Sequence, residues 1–357
     1  MPTIDTTARN AYVIDVNTGA VLLDKNGEEH IPPASMSKLM TEYIVFSYLK
    51  SGRVTLNDML PVSEKAWRTQ GSKMFVPLGG KIRVEDLLRG MIVQSGNDAC
   101  IVLAEGLAGS TDAFVTLMNQ KAKELGLTGS HFANVDGLPD PDEYMTTRDL
   151  AILARHLITD FPEYYHYDAE KEFTFNGIKQ GNRNPLLYTD PTVDGLKTGH
   201  TDEAGYCLAA SALRNGRRII EVLAGMNRMQ ERADQGRVVM DWAFREFDDY
   251  AIAKAGAIID QAPVWLGQQA QVPVAAAHDV VVTLPRSDRS DLQVTAVYDG
   301  PTAAPVAPGQ TVGKLLVSAP DTAPVEAPLV ATRSVPRLGV FGRMAFTAGY
   351  LLFGRHN

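Results

Sequence analysis

The sequence predicts an α/β (α+β) core with a mainly antiparallel sheet, then a small all-β domain and a terminal amphipathic helix. Within residues 1–248, strand-like runs stand at both ends and helical patterns lie between them. Beyond residue 248 the composition shifts to proline, alanine, valine and threonine in short alternating runs. The end of the chain returns to helical spacing with many large apolar residues. We therefore expect three parts, residues 1–248, 249–333 and 334–357.

The overall composition argues against several classes of protein. The chain has 357 residues, of which 45% are hydrophobic and 21% charged, as is typical of a soluble globular protein. Its net charge of −8 and isoelectric point near 5.4 argue against a nucleic-acid-binding protein. The seven histidines lack metal-ligand spacing, so we predict no metal and no cofactor. Cys100 and Cys207 lie far apart between small and apolar residues, which favours two buried thiols over a disulfide.

Short signals predict the elements of the first half. Two strand-like runs, 11–16 and 20–23, are joined by Asn17-Thr18-Gly19, which predicts a hairpin. A helix that begins at Ser35 should run to about Lys50, because Ser51-Gly52 is a normal helix end. Thr146 is expected to cap a later helix, with Asp149 as its partner in a capping box. The other helical patterns cover residues 83–93, 98–107, 112–125 and 146–158.

The second half is richer in strands. Residues 172–178 look like a strand that turns at Asn176-Gly177. Two near-continuous apolar runs are separated by the turn Arg214-Asn215-Gly216, and a long helix follows them. These two strands are 206–212 and 218–224, the helix is 228–247, and the strands of the third part are 280–284, 292–298 and 311–318.

The last segment, residues 338–353, predicts a helix that lies in a membrane interface. Gly339, Arg343, Thr347 and Tyr350 fall on one narrow face, and large apolar residues cover the rest. The segment is too short to span a membrane. A tail that packs on its own domain or on a partner is the alternative interpretation.

The stretch around Ser35 is the first with the residues of a catalytic site. Pro32 and Pro33 bar a helix upstream because proline fixes φ and removes a donor. Lys38, three residues after Ser35, lies on the same face of the helix that follows. A serine hydroxyl beside an amine is an activated nucleophile, since a desolvated lysine can be neutral and take the proton. Alone the pattern is weak, because a capping serine followed by a solvated lysine has the same spacing.

Two further short motifs follow in order. Ser95-Gly96-Asn97 sits at a break between helices, and Lys197-Thr198-Gly199 lies just before the strand near Tyr206. Ser-x-x-Lys, Ser-x-Asn and Lys-Thr-Gly in this order are the set of penicillin-binding proteins and serine β-lactamases. With its flanking residues, the chain resembles a D-alanyl-D-alanine carboxypeptidase of the low-molecular-mass penicillin-binding protein group, over essentially its whole length. The matching stretches are 33–41, 94–100, 171–177, 182–184 and 194–201.

The resemblance implies a β-lactamase/DD-peptidase-like catalytic domain and a chemical role for each motif residue. Ser35 would attack the substrate carbonyl to form an acyl-enzyme, with Lys38 taking its proton. Ser95 would relay that proton to the leaving amine, and Asn97 would hold the lysine and the substrate amide. Lys197 would keep Lys38 neutral by like-charge repulsion and would order Ser95.

A second group of residues is expected to bind the substrate. Thr198 offers a hydroxyl to the terminal carboxylate, and Gly199 lets the substrate lie against the strand edge. The backbone N–H groups of Ser35 and His200 would form the oxyanion hole.

The resemblance implies further contacts in the same site. Arg183 and Ser72 are expected to help bind the peptide. Either Arg228 or Arg232 would contact the substrate carboxylate, since the family often has an arginine after the strand that follows Lys-Thr-Gly. Asp136 stands where some relatives have histidine, which we leave without an interpretation.

The implied enzyme removes the terminal D-alanine from peptidoglycan pentapeptides and is trapped by β-lactams, with a role in peptidoglycan maturation and cell shape. The resemblance also places the terminal helix at the membrane surface, on the periplasmic face of the bacterial cytoplasmic membrane. Met1-Pro2-Thr3-Ile4-Asp5 lacks the basic start and apolar core of a signal peptide, so an exported protein would have this sequence in its mature form.

Three alternatives stay open. A β-lactamase would use a glutamate and an asparagine to activate the deacylating water, and Glu172-x-x-x-Asn176 spells that pattern, although its setting favours coincidence. A transpeptidase or endopeptidase would use the same acyl-enzyme with another acceptor or at a cross-link. A non-catalytic scaffold is least expected, because both serines and both lysines of the motifs are present.

Overall fold

The computed structural model describes residues 2–320 and 322–353 and confirms the expected architecture. The chain divides into two compact units, one over Ile4–Arg245 and one that joins Met1–Thr3 to the residues from Glu246 onward. Positions 354–357 of the predicted terminal helix lie outside the described residues.

The first unit mixes strands with helices. Its strands are β1 (Asn10–Asp15), β2 (Val21–Lys25), β3 (Met59–Pro61), β4 (Lys81–Arg83), β5 (Glu172–Phe175), β6 (Ile178–Gly181), β7 (Val193–Gly195), β8 (Thr198–Thr201), β9 (Gly205–Arg214) and β10 (Arg217–Met226). Its helices are α1 (Lys38–Lys50), α2 (Glu64–Arg68), α3 (Val84–Ile92), α4 (Asn97–Ala108), α5 (Thr111–Glu124), α6 (Thr147–Asp160), α7 (Leu186–Thr189) and α8 (Met229–Glu246). Short 3-10 turns cover Ala34–Ser37 and Tyr165–Ala169.

The main sheet has the strand order β2-β1-β10-β9-β7, with β8 also paired to β9. Each of these pairs is antiparallel, as the sequence predicts. β9 and β10 join at Asn215-Gly216, whose φ values of 54° and 81° are those of a tight hairpin turn. The near-continuous apolar character of β9 and β10 agrees with their burial between helices on both faces.

Helices α1 and α4 form the centre of the apolar core, and most of their residues are buried. The predicted cap of α6 is confirmed, since Thr146 Oγ1 accepts the Asp149 N–H at 3.0 Å. The other half of the predicted capping box, in which the Asp149 carboxylate accepts the Thr146 N–H, is wrong. Asp149 Oδ2 accepts instead from Gly129 N–H and Ser130 Oγ, each at 2.8 Å, because the preceding loop supplies nearer donors.

The second unit is all-β apart from its terminal helix and one 3-10 turn, Arg286–Asp291. Its six-stranded sheet has the order β15-β17-β18-β13-β12-β16, and β11 pairs with β14. Small β-branched residues and alanine fill its core. The strands are β11 (Phe247–Ala253), β12 (Ile258–Trp265), β13 (Gln271–Ala276), β14 (Val280–Pro285), β15 (Gln293–Val297), β16 (Thr302–Ala303), β17 (Thr311–Ser318) and β18 (Val325–Ala331).

The terminal helix, α9 (Val340–Phe353), packs one face on its own unit and exposes another. Phe346 and Tyr350 meet the Trp265 ring edge-on, with centroids 4.9 and 5.0 Å away. Phe341 and Leu351 remain 89% and 76% exposed. Among the described residues no single helix is both long and apolar enough to cross a membrane; the bent pair α4–α5 qualifies by length and composition only.

Candidate active site

The first motif forms a tight turn that leads into α1. Ser35 lies in the 3-10 turn Ala34–Ser37, directly before Lys38. Ala34 has a φ of 49°, a left-handed conformation that costs free energy for a residue with a Cβ and that is common at functional sites. Because Lys38 follows Ser35 by three residues, its Nζ reaches back and donates to Ser35 Oγ at 2.7 Å. The same amine donates to the carbonyl oxygen of Asp136.

The second and third motifs meet although they lie far apart in the chain. Ser95 sits between α3 and α4 with a φ of 56° and is buried. Lys197 lies between β7 and β8, and its Nζ donates to Ser95 Oγ at 3.0 Å. The fold therefore builds two hydroxyl–amine pairs, Ser35 with Lys38 and Ser95 with Lys197.

Burial controls the protonation of both amines. Burial lowers the pKa of Lys38, and the Arg183 guanidinium lowers it further, whereas Cys100 and Asp136 oppose this shift. Burial also lowers the pKa of Lys197 well below its usual value, with repulsion from Lys38 as the next cause. The expected neutrality of Lys38 thus has a different main cause, desolvation rather than the charge of Lys197. Since each ammonium group disfavours the other, the pair of lysines favours holding one proton.

Strand β8 carries the third motif along an edge of the sheet. Among the described residues it pairs only with β9, so its other edge has no partner strand, and the Thr198 carbonyl oxygen accepts from Lys197 Nζ at 3.3 Å. A Cβ on Gly199 would come within 2.9 Å of the Pro33 carbonyl oxygen and 3.2 Å of Ala34 Cβ. Glycine is therefore needed for β8 to pack against the serine turn, a requirement that the sequence did not reveal.

Four other residues expected to bind substrate differ in burial and in the side chains that they contact. Thr198 is buried at the start of β8, and the exposed His200 ring stacks on Tyr206 with centroids 4.0 Å apart. Arg183 Nη1 donates to Ser72 Oγ at 2.5 Å, so these two side chains contact each other.

The structure separates the two candidate arginines. Arg232, in the first part of α8, is only 6% exposed, and its guanidinium lies 5.6 Å from the centroid of Tyr206. Its Nη2 donates to the carbonyl oxygen of Arg183 at 3.4 Å. Arg228 is exposed. Because Tyr206 is the register partner of His200, Arg232 rather than Arg228 lies beside the third motif.

Asn97 ties a neighbouring loop to the second motif. Its Nδ2 donates to the Gln70 carbonyl oxygen and its backbone N–H to the Ser72 carbonyl oxygen, each at 2.8 Å. The contact between Asn97 and Lys38 that the sequence predicts is not formed among the described side chains.

Sequence reasoning missed Asp98, which organises the same loop. Its carboxylate is fully buried and accepts the backbone N–H groups of residues 74–76 at 2.8–3.1 Å. An aspartate in the first turn of a helix is an ordinary sequence pattern, so only its distant partners reveal this role.

Sequence reasoning also missed Glu143, which braces the loop that carries Asp136. Glu143 Oε2 accepts the N–H groups of Ala133 and Asn134 at 2.6 and 3.2 Å. Burial raises the pKa of Glu143 to about 7. The loop presents the Asp136 carbonyl oxygen to Lys38, so this contact depends on a brace for which the sequence has no signal.

The glutamate and asparagine of the β-lactamase-like pattern belong to a surface hairpin. Glu172 is exposed and pairs with Lys179 across β5 and β6 at 2.7 Å. Asn176 occupies the turn with a φ of 47°, as the Asn-Gly signal predicts. The predicted buried thiols are confirmed, because Cys100 and Cys207 are free and buried. No group of three metal-ligating side chains occurs within the part of the chain that the structure describes.

Comparisons with known proteins agree with the motifs. The family model for D-alanyl-D-alanine carboxypeptidase, peptidase S11, matches residues 1–228, and that for the penicillin-binding protein 5 C-terminal domain matches residues 247–337. The D-alanyl-D-alanine carboxypeptidases DacC of Escherichia coli and DacA of Haemophilus influenzae are 40% and 38% identical. The matches cover 96% and 95% of this chain, and 87% and 88% of those proteins.

A solved structure supports the same relationship over both units. Penicillin-binding protein 5 from Haemophilus influenzae superposes with a TM-score of 0.86 at 37% identity, covering 94% of this chain and 100% of that one. Likeness in sequence and fold thus extends across nearly the whole chain. The protein belongs to the D-alanyl-D-alanine carboxypeptidase (peptidase S11) family of serine hydrolases and is a carboxypeptidase of the penicillin-binding protein 5 type.

Proposed function

We propose that this carboxypeptidase cleaves D-Ala-D-Ala termini of peptidoglycan stem peptides through an acyl-enzyme on Ser35. The hydrogen bond between Lys38 and Ser35 Oγ, at 2.7 Å inside a buried site, is the observation that carries the proposal. A buried amine with a lowered pKa is a suitable base for this hydroxyl, because it can be neutral near pH 7.

The first step forms a bond between Ser35 Oγ and the carbonyl carbon of the penultimate residue. Lys38 takes the hydroxyl proton, and Ser95 passes a proton to the departing amine of D-alanine. The contact between Lys197 and Ser95 Oγ supports a role for Lys197 in orienting that hydroxyl. Water then cleaves the ester and frees Ser35. Asn97 anchors the adjoining loop and would hold the substrate amide.

The free edge of β8 suits an extended peptide. A substrate strand added there would place its carbonyl near the Ser35 and His200 N–H groups, the proposed oxyanion hole. Thr198 and Arg232 would receive the terminal carboxylate, since an arginine binds carboxylates in a bidentate manner. Arg183 and Ser72 would line the same cleft.

β-Lactams are the expected covalent inhibitors, because they acylate a serine while the amine formed by ring opening stays attached to the acyl group. A related protein, penicillin-binding protein D2 from Listeria monocytogenes, has been solved in ampicillin-bound and cefotaxime-bound forms. The surface hairpin setting of Glu172 and Asn176 disfavours the alternative of rapid β-lactam hydrolysis.

Intact-mass analysis with penicillin and with diacetyl-Lys-D-Ala-D-Ala tests the proposal. We expect one stable penicilloyl adduct and release of one D-alanine. Ser35→Ala should abolish both, whereas Ser37→Ala, in the same turn, should still be labelled. Labelling of Ser35→Ala would overturn the assigned nucleophile. Penicillin turnover without an adduct, and an untouched peptide, would instead indicate a β-lactamase.

We further propose that α9 attaches the enzyme peripherally to the periplasmic face of the cytoplasmic membrane. Its outer face exposes Phe341, Met344, Leu351 and Leu352, which are 65–89% exposed, while the opposite face rests on Trp265. Large apolar side chains of this kind bind the boundary between headgroups and acyl chains.

Sedimentation of the full chain with vesicles of phosphatidylethanolamine and phosphatidylglycerol tests this attachment. Leu351→Glu combined with Leu352→Glu should weaken binding by at least about tenfold, because charges replace the inserted apolar groups. Leu213→Glu, an exposed leucine of the first unit, is the matched control and should not change binding. Equal sedimentation of the tail variant and the original chain would contradict the proposal.

A further inference from the structure

Two buried carboxyl groups, Glu42 and Asp168, have no part in the mechanism above. Glu42 lies on α1 one turn after Lys38, so both side chains point to the same face of the helix. Asp168 lies in the 3-10 turn Tyr165–Ala169. Both residues are 1% exposed. Both acids therefore lie in the interior of the first unit.

The backbone of β7 connects Asp168 to Lys197. A Cβ on Gly195 would lie 2.9 Å from Asp168 Cβ, so the acid packs directly on the strand that ends two residues before Lys197. Glu42 and Asp168 both interact electrostatically with Lys197. Lys197 therefore has this buried acid pair among its interaction partners, in addition to Ser95 Oγ.

Each carboxyl group alters the pKa of the other, which indicates that the two side chains interact in the interior. Glu42 Oε1 and both oxygens of Asp168 have no donor among the residues that the structure describes. Two interacting carboxylates that are buried and lack hydrogen-bond donors cannot both be ionised at little cost, so the pair retains a proton. Burial raises the pKa of Asp168 to about 7 and raises that of Glu42 well above its usual range. As the pH rises through 7 the pair therefore loses one of its two protons and gains one negative charge.

The charges around the two lysines are unequal. The titratable groups that face the acid pair are Lys197, Asp194 and Tyr165, and Asp194 is itself held by Arg218 at 2.7 Å. Lys197 also faces Lys38, Arg183 and Cys100. Lys38 faces Cys100, Asp136, Arg183 and Glu143. Since a second proton on the two lysines is disfavoured, an acid that interacts with Lys197 favours the proton on that amine.

We propose that Glu42 and Asp168 are positioning residues whose shared negative charge keeps the proton on Lys197 and leaves Lys38 neutral as the base. This inference rests on the proposed roles of Lys38 and Lys197. It explains why a folded core retains two interacting acids that lack hydrogen-bond donors. Without a counter-charge, a buried Lys197 beside Lys38 and Arg183 would lose its proton.

The pH profile of penicillin acylation of the full chain tests the proposal. The double variant Glu42→Gln with Asp168→Asn keeps the shape of the pair and removes its charge. We expect the basic limb of its acylation-rate profile to move by about one pH unit to lower pH. At pH values above that limb, this shift lowers the acylation rate about tenfold. The single variant Glu42→Gln retains an ionisable Asp168, so its profile should stay close to that of the original chain.

Glu221→Gln is the matched control, because Glu221 is a fully buried acid on β10 whose charge partners lie elsewhere. It should leave the profile unchanged. The proposal would be overturned if the double variant were acylated more slowly by the same factor at every pH. It would also be overturned if the pH profile of Glu221→Gln shifted as far as that of the double variant. Loss of labelling in the original chain would instead refute the proposed nucleophile, so the two failures are distinguishable.

A second measurement does not need the double variant to fold. Carboxyl carbon NMR of the original chain, assigned with the two single variants, should show Glu42 and Asp168 titrating together, with one proton retained at pH 8. Two fully ionised carboxylates at that pH would overturn the shared proton and with it the proposed role.

Discussion

The two units differ most in what they bury. The first unit encloses many charged side chains, among them Lys38, Glu42, Asp98, Asp168, Lys197 and Glu221. In the described part of the second unit, Thr283 is the only buried polar residue, and the core consists of valine, leucine and alanine. Burying a charged group costs free energy, whereas burying an apolar side chain stabilises the fold. The reactive site of the first unit therefore lowers the stability of that unit. The second unit carries no such cost.

The largest expected effect comes from removing a buried charge at the site. Lys38→Met should slow penicillin acylation by about 10²–10⁴-fold, because the base for Ser35 is lost. The free energy of unfolding should stay equal or rise, since a desolvated amine becomes an apolar side chain. Acylation rates and thermal unfolding measure the two effects. Lys50→Met, at the exposed end of α1, is the control and should keep the rate. If Lys38→Met lowered the free energy of unfolding but kept the acylation rate, the contrast drawn between the two units would be wrong.

A core truncation in the second unit should lower the stability of the protein without changing its acylation rate. Leu329→Ala, at a fully buried position of β18, should lower the free energy of unfolding by about 2–5 kcal/mol. The acylation rate constant of the folded protein should not change, because each motif lies in the first unit. Calorimetry and mass analysis of the same samples check both. The exposed Val325→Ala on the same strand should cost less than about 0.5 kcal/mol. Slower acylation in Leu329→Ala would show that the acylation rate of the first unit depends on the core of the second.

A smaller effect tests the buried acid that braces the Asp136 loop. The pKa of Glu143 is raised from 4.5 to about 7, so its stabilising contribution is complete below pH 4.5 and is lost as pH rises through 7. Glu143→Gln does not titrate. Relative to the original chain, the variant should therefore gain up to about 3 kcal/mol of unfolding free energy between pH 4 and pH 8. Denaturant unfolding at both pH values measures the gain, and a difference that is the same at each pH would contradict it.

Local signals in the sequence predicted much of the fold. The turns at Asn176-Gly177 and Asn215-Gly216, the cap at Thr146 and the helix that follows Ser35 were each correct, because they depend on neighbouring residues. The order of the three motifs was also sufficient to identify the superfamily. The capping box failed at Asp149, since a distant loop offered better donors.

What the sequence alone determined is therefore the order of elements, the change of composition near residue 248 and the residue types of the site. Only the tertiary structure decided that Arg232 rather than Arg228 lies beside Tyr206. It also decided that Glu42 and Asp168 interact in the interior. Helices and turns follow from spacing within a few residues, whereas these contacts join segments through strand register and core packing. Burial then sets the protonation of both amines, and burial is a property of the whole fold.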